Sequence, residues 1–136
     1  MKIADNKTAF GLARDLLAEG QRVTMRVRGQ SMLPFFRSGS TVQLRPAVPG
    51  DLVRGHVVLG LTDAGTYVIH RILSVGHTSV TLLGDGNIAG TETIPFDRIY
   101  GVVDCSKAHL ALARIWMWMR PVRRYPLWVL RRLFPE

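Results

Sequence analysis

Apolar residues along this chain recur first at helical spacing and then at every second position. Phe10, Ala13, Leu16 and Leu17 share one helical face, Asp5 or Asn6 can cap that helix, and Gly20 follows its end near Glu19. The run "QRVTMRVR" then alternates, with Val23, Met25 and Val27 on one side and Thr24, Arg26 and Arg28 on the other, which predicts a half-exposed strand. Further strands are predicted in "TVQLRP", "LVRGHVVLG", "TYVIHRILSV", "TSVTLLG" and "RIYGVV". The turn signals "VPGD", "LTDAGT", Gly76-His77 and "GDGN" separate them. Many short strands, frequent Gly/Pro turns and one N-terminal helix predict a mainly-β fold over residues 1–106. From Lys107 the pattern returns to helical spacing, and residues 107–136 read as a basic, Trp-rich amphipathic tail: a helix to Met119, a break at Pro121 and a second segment interrupted by Pro126.

Composition changes this picture in a few places. At 136 residues with 47% hydrophobic and 21% charged side chains, the chain has the make-up of one folded domain. The net charge of +8 is uneven: residues 1–105 carry 11 Lys/Arg against 9 Asp/Glu, whereas residues 106–136 carry Lys107 and six arginines against Glu136. The body is thus nearly neutral, which argues against a domain that grips nucleic acid as a whole. Cys105 is the single cysteine, so no internal disulfide or cysteine-based metal spacing is predicted, and a small core residue is its simplest role. "MKIADNKTAFGLARDLLAEG" has no uninterrupted apolar run of the kind a secretory signal needs, and no stretch matches a membrane-spanning helix. A cytoplasmic protein is therefore expected, with peripheral contact at the inner membrane surface as one reading of residues 108–134.

The candidate chemistry centres on "VRGQSMLPFFRSGS", where Ser31 sits between Gln30 and Met32 shortly before Pro34. A serine hydroxyl needs a base to act as a nucleophile at neutral pH. The only lysines are Lys2, Lys7 and Lys107, so no lysine lies between Thr8 and Ser106 to serve as that base on the strands. Four histidines remain: His56, His70, His77 and His109. Alternation in "TYVIHRILSV" groups His70 with Val68 and Ile72, and apolar neighbours favour the neutral imidazole that a general base requires. A core histidine bonded to backbone is the structural alternative.

"GQSMLP", "PGDLV", "VIHRI" and "GDGN", in that order, resemble the signal peptidase I and SOS-repressor peptidase clan, closest to the branch that pairs serine with histidine. The similarity runs from about Val23 to Val103. It implies a fold of twisted antiparallel sheets, partly barrel-like, and a serine endopeptidase working through an acyl-enzyme without metal or cofactor. Ser31 would be the nucleophile and His70 the base, with Met32 and Pro34 shaping the nucleophile loop. Gly84, Asp85 and Asn87 match the Gly-Asp-x-Asn motif, and Asp85 is the candidate third group, although a turn residue bonded to its own backbone fits it equally well. Pro49, Gly50 and Asp51 read as a turn into a core strand. Signal peptidases usually carry a serine where this chain has Gly29, so the oxyanion would rest on the Ser31 N–H with Gly29 or Gln30. A further acid of the family has no clear counterpart; Glu92 and Asp97 are the residues on offer. The resemblance also implies that a precursor, leader or signal-like peptide adds as a strand beside Thr24, Met25 and Arg26. Two other readings stay open: a catalytically inactive peptide-binding module of the same fold, and a self-cleaving regulator.

Overall fold

The computed structural model describes residues 7–26, 32, 35–36, 39–85, 90–119, 122 and 124–134. Helix α1 (Lys7–Ala18) is followed by strands β1 (Val23–Arg26), β2 (Thr41–Pro46), β3 (Val57–Leu61), β4 (Tyr67–Val75), β5 (Ser79–Leu83), β6 (Glu92–Pro95) and β7 (Ile99–Val103). Helices α2 (Lys107–Trp118) and α3 (Arg124–Leu133) complete the order. The strands form one sheet in the order β1-β2-β7-β3-β4-β5-β6, and every neighbouring pair is antiparallel.

The mainly-β, partly barrel-like expectation does not hold. The sheet is open: β1 pairs with β2 alone and β6 with β5 alone among the described residues. The three α-helices hold nearly as many residues as the seven strands, which makes the architecture α+β. Helix α1 covers one of the two sheet faces. Phe10, Ala13 and Leu17 of α1 bury one sheet face together with Met25, Val42, Leu44, Leu59, Ile69 and Val103. Phe10 stacks on Tyr67 with ring centroids 4.8 Å apart. The opposite face is a second apolar layer of Val58, Val68, Ile72, Val80, Leu82, Ile94, Ile99 and Val102. A third cluster joins Trp116 of α2 to Leu127 of α3, with Phe35 and Leu130 against it.

Three local departures have simple causes. The "LVRGHVVLG" strand begins only at Val57, because residues 52–56 turn through Gly55, whose φ of +99° suits glycine. Strand β6 was not predicted: "ETIP" is short and ends in proline, which an edge strand tolerates because its outer N–H needs no partner. Pro126 does not interrupt α3, since it falls in the first turn of that helix, where the missing N–H costs nothing.

The seating of α1 depends on Gly101 in β7. A Cβ there would lie 2.8 Å from Leu17 Cδ1 and 3.2 Å from the Arg45 carbonyl oxygen. Gly101→Val is expected to lower stability by about 1–3 kcal/mol through overpacking, read as a shift of the urea midpoint. An unchanged midpoint would show that α1 is not held against β7.

Candidate active site

His70 lies on β4 opposite Val58 of β3, and its ring is buried. Along the neighbouring row, Ile72 pairs with Leu82 of β5, and Leu82 pairs with Glu92 of β6. Residues in such a row point to one face, so Glu92 is placed diagonally from His70 on the same side of the sheet. The contact follows: His70 Nδ1 is 3.1 Å from Oε1 and 3.2 Å from Oε2 of Glu92. A carboxylate only accepts, so Nδ1 carries the proton in this arrangement and Nε2 is the basic nitrogen. Burial lowers the His70 pKa; the hydrogen bond from Nδ1 to Glu92, and more weakly the charge of Asp85, oppose that shift without cancelling it. The ring is therefore neutral at neutral pH.

Asp85 has a different immediate partner from the imidazole predicted for it. Its Oδ1 accepts from Arg71 Nε at 2.8 Å and its Oδ2 from Arg71 Nη2 at 2.7 Å, with both side chains buried. Arg71 Nη1 donates to the Gly55 carbonyl at 2.7 Å. The guanidinium carbon lies 5.0 Å from the centroid of the Phe35 ring. Arg71 Nη2 also lies 3.0 Å from Nε2 of His109; arginine only donates, so this nitrogen accepts and His109 is neutral. Burial and the Arg71 charge both lower the His109 pKa. Helix α2 reaches the same centre through Trp116, whose Nε1–H donates to the Asp85 carbonyl at 2.7 Å.

Met32, next to Ser31 in the chain, is fully buried in the layer under α1, and its Sδ accepts from the Asp85 N–H at 3.2 Å. The N–H groups of Phe35 and Phe36 donate to the Met32 carbonyl at 3.0 and 2.9 Å. Gly29, Gln30, Ser31, Pro34 and Asn87 lie outside the described residues. Thr24 and Arg26 project to solvent from β1 while Met25 enters the core. Asp51 is structural, as predicted: it accepts from both ends of the Arg45 guanidinium at 2.8 and 2.9 Å and from the Val48 N–H at 2.9 Å. Cys105 is half-buried beside the first layer, and burial raises its thiol pKa. Among the described residues no group of three or more His, Cys, Asp and Glu side chains is placed to hold a metal ion.

Sequence reasoning assigned no role to Arg71 and left Glu92 unaligned. A signal for Arg71 was present: an arginine whose same-face neighbours Ile69 and Tyr67 are core residues must find a buried partner. Comparison with protein-family models, with curated proteins and with solved structures finds no match to this chain.

Two outcomes test this geometry. Arg71→Met or Asp85→Leu alone leaves a buried unpaired charge and should cost about 3–5 kcal/mol, whereas the double substitution should recover much of that loss in chemical denaturation. Additive losses would contradict a direct pair. Both His70 and His109 have depressed pKa values in the fold, so the unfolded chain takes up their protons first as pH falls. Stability should be fully present above about 6.5 and decline as pH drops below it toward the folded values. Thermal midpoints between pH 7.5 and 5.5 read this, and His70→Gln with His109→Gln should flatten the slope; a rise in stability over that range would reverse the assignment.

Proposed function

We propose that this protein is a serine endopeptidase in which Ser31 attacks the scissile carbonyl of an extended peptide and His70 takes its proton. The observation that carries the reading is the His70–Glu92 pair. A buried neutral imidazole whose Nδ1–H is held by a carboxylate carries its basic lone pair on Nε2, the tautomer that activation of a hydroxyl requires. Glu92 also favours the imidazolium once the proton arrives, so its charge is worth most in the transition state. In this reading Glu92 fills the orienting role, and Asp85 supports the ring only through its field while holding Arg71.

The reaction follows from these roles. Ser31 Oγ bonds to the carbonyl carbon as His70 Nε2 accepts its proton, and the oxyanion is received by the Ser31 N–H with Gly29 or Gln30. His70 then returns the proton to the departing amine, leaving an ester on Ser31. Water, deprotonated by the same ring, hydrolyses that ester and regenerates the serine. The substrate in this reading is an extended peptide, bound by strand addition with backbone groups providing affinity. A selected precursor or leader segment fits this better than bulk protein, because a strand edge binds only an extended, unfolded stretch.

Ser31→Ala and His70→Ala should each abolish cleavage, measured by comparing peptide termini in cells expressing the wild type and each variant, with Ser31→Ala keeping the wild-type thermal midpoint. Glu92→Gln should lower kcat by roughly 10²–10⁴-fold. The acid limb of kcat/KM should fall below the ordinary imidazole value, and Glu92→Gln should move it lower still, because the carboxylate raises the His70 pKa. Full activity in His70→Ala would remove the proposed base. Peptide binding without turnover in the wild type would identify an inactive binding module instead.

A further inference from the structure

Helices α2 and α3 each bury one face and expose an apolar one. In α3, Leu127 is buried and Leu130 packs beside it, while Tyr125, Trp128, Val129 and Leu133 on the other side of the helix are exposed. These four fall at the spacing of one outward stripe. Helix α2 repeats the arrangement: Ala113, Trp116 and Met117 are buried, and Leu112, Ile115 and Trp118 face outward, with Trp118 81% exposed. A soluble domain rarely leaves two tryptophans and several aliphatic residues uncovered on adjoining helices without a use for them.

The charge around these stripes indicates what covers them. No Asp or Glu occurs between Ser106 and Phe134, whereas Lys107 and six arginines do. The Arg132 guanidinium lies 4.2 Å from the centroid of the exposed Trp128 ring, inside the α3 stripe. Arg114 of α2 and Arg54 of the β2–β3 connection line, with Met117 and Trp118, an open depression of about 420 Å³. Neither arginine makes an ion pair among the described residues. Two guanidinium groups beside an indole suit a phosphate at the level where an amphipathic ring also sits. A second copy of the chain would bring like charge against like charge. No helix among the described residues is long and apolar enough to cross a membrane, so contact would be along the surface.

We propose that the outward faces of α2 and α3 dock on an anionic lipid bilayer, with Trp118, Trp128 and Leu133 entering the headgroup region and Arg54 and Arg114 taking a lipid phosphate. The proposal does not depend on the peptidase reading, since none of these residues contributes to the His70–Glu92 pair.

Cosedimentation of the whole protein with vesicles of phosphatidylglycerol and phosphatidylcholine tests it, with pure phosphatidylcholine vesicles as the comparison. Binding is expected on the anionic vesicles, weakening with salt, with a blue shift of tryptophan emission. Trp128→Ser with Leu133→Ser keeps the charge and alters only exposed positions; it should weaken binding at least tenfold. Arg54→Gln with Arg114→Gln should weaken it about tenfold or more. Circular dichroism midpoints equal to wild type keep these readings interpretable. Unchanged binding by the apolar variant would reduce the contact to charge adsorption and overturn the proposal. Absence of vesicle binding, or self-association in sedimentation that the same apolar variant abolishes, would overturn it as well. Ser31→Ala should bind vesicles like the wild type, so loss of cleavage and loss of docking are read separately.

Discussion

The buried pair of Arg71 and Asp85 is the contact on which the rest of the arrangement rests. It ties the middle of β4 to the residue where the chain leaves β5, and its remaining hydrogen bonds reach Gly55 before β3 and His109 on α2. A buried ion pair is not a strong source of stability by itself, because desolvation offsets most of the Coulomb gain. What it supplies is selection. A register or helix position that leaves the guanidinium one donor short, or the carboxylate without its fork, carries the full cost of an unpaired buried charge. The Asp85 backbone adds to the same constraint, with its N–H on Met32 Sδ and its carbonyl on Trp116. Three separate parts of the chain, β4, Met32 and α2, are thus held to one residue.

That constraint bears on His70 through the alternation of a strand. Arg71 and His70 are consecutive on β4 and point to opposite faces, so fixing Arg71 under α2 fixes the imidazole on the other side. The pairing of β4 with β5 and of β5 with β6 then brings Glu92 to Nδ1. Met32 is held to the same reference point through its sulfur, which accepts from the Asp85 N–H. Asp85 thus bonds both to Arg71 of β4 and to Met32.

Much of this was legible from local pattern. The period of α1, the alternation of β1, β2, β4, β5 and β7, and the apolar setting of His70 all depend on near neighbours in sequence. The partner of His70 was not legible, because Glu92 acquires its meaning only once β6 lies against β5 in a particular register. "ETIP" hides that strand behind two polar residues and a proline. The openness of the sheet was lost for the same reason. Whether β1 meets β6 is decided by contacts between the two ends of the sheet, and no local feature of either strand records it. The helical content was undercounted in the tail, where Pro126 reads as a break until its place in the first turn of α3 is known.

The tail also changes meaning once its inner face is seen. Read as sequence, residues 108–134 offered contact with a membrane surface as one reading. The helices pack inward on one face and leave the other uncovered. Trp116 and His109 of α2 reach Asp85 and Arg71, while Leu112, Ile115 and Trp118 of the same helix face away. A rigid helix that holds both sets links them mechanically. Helix α2 has no internal break between Lys107 and Trp118, so its buried and outward residues belong to one element.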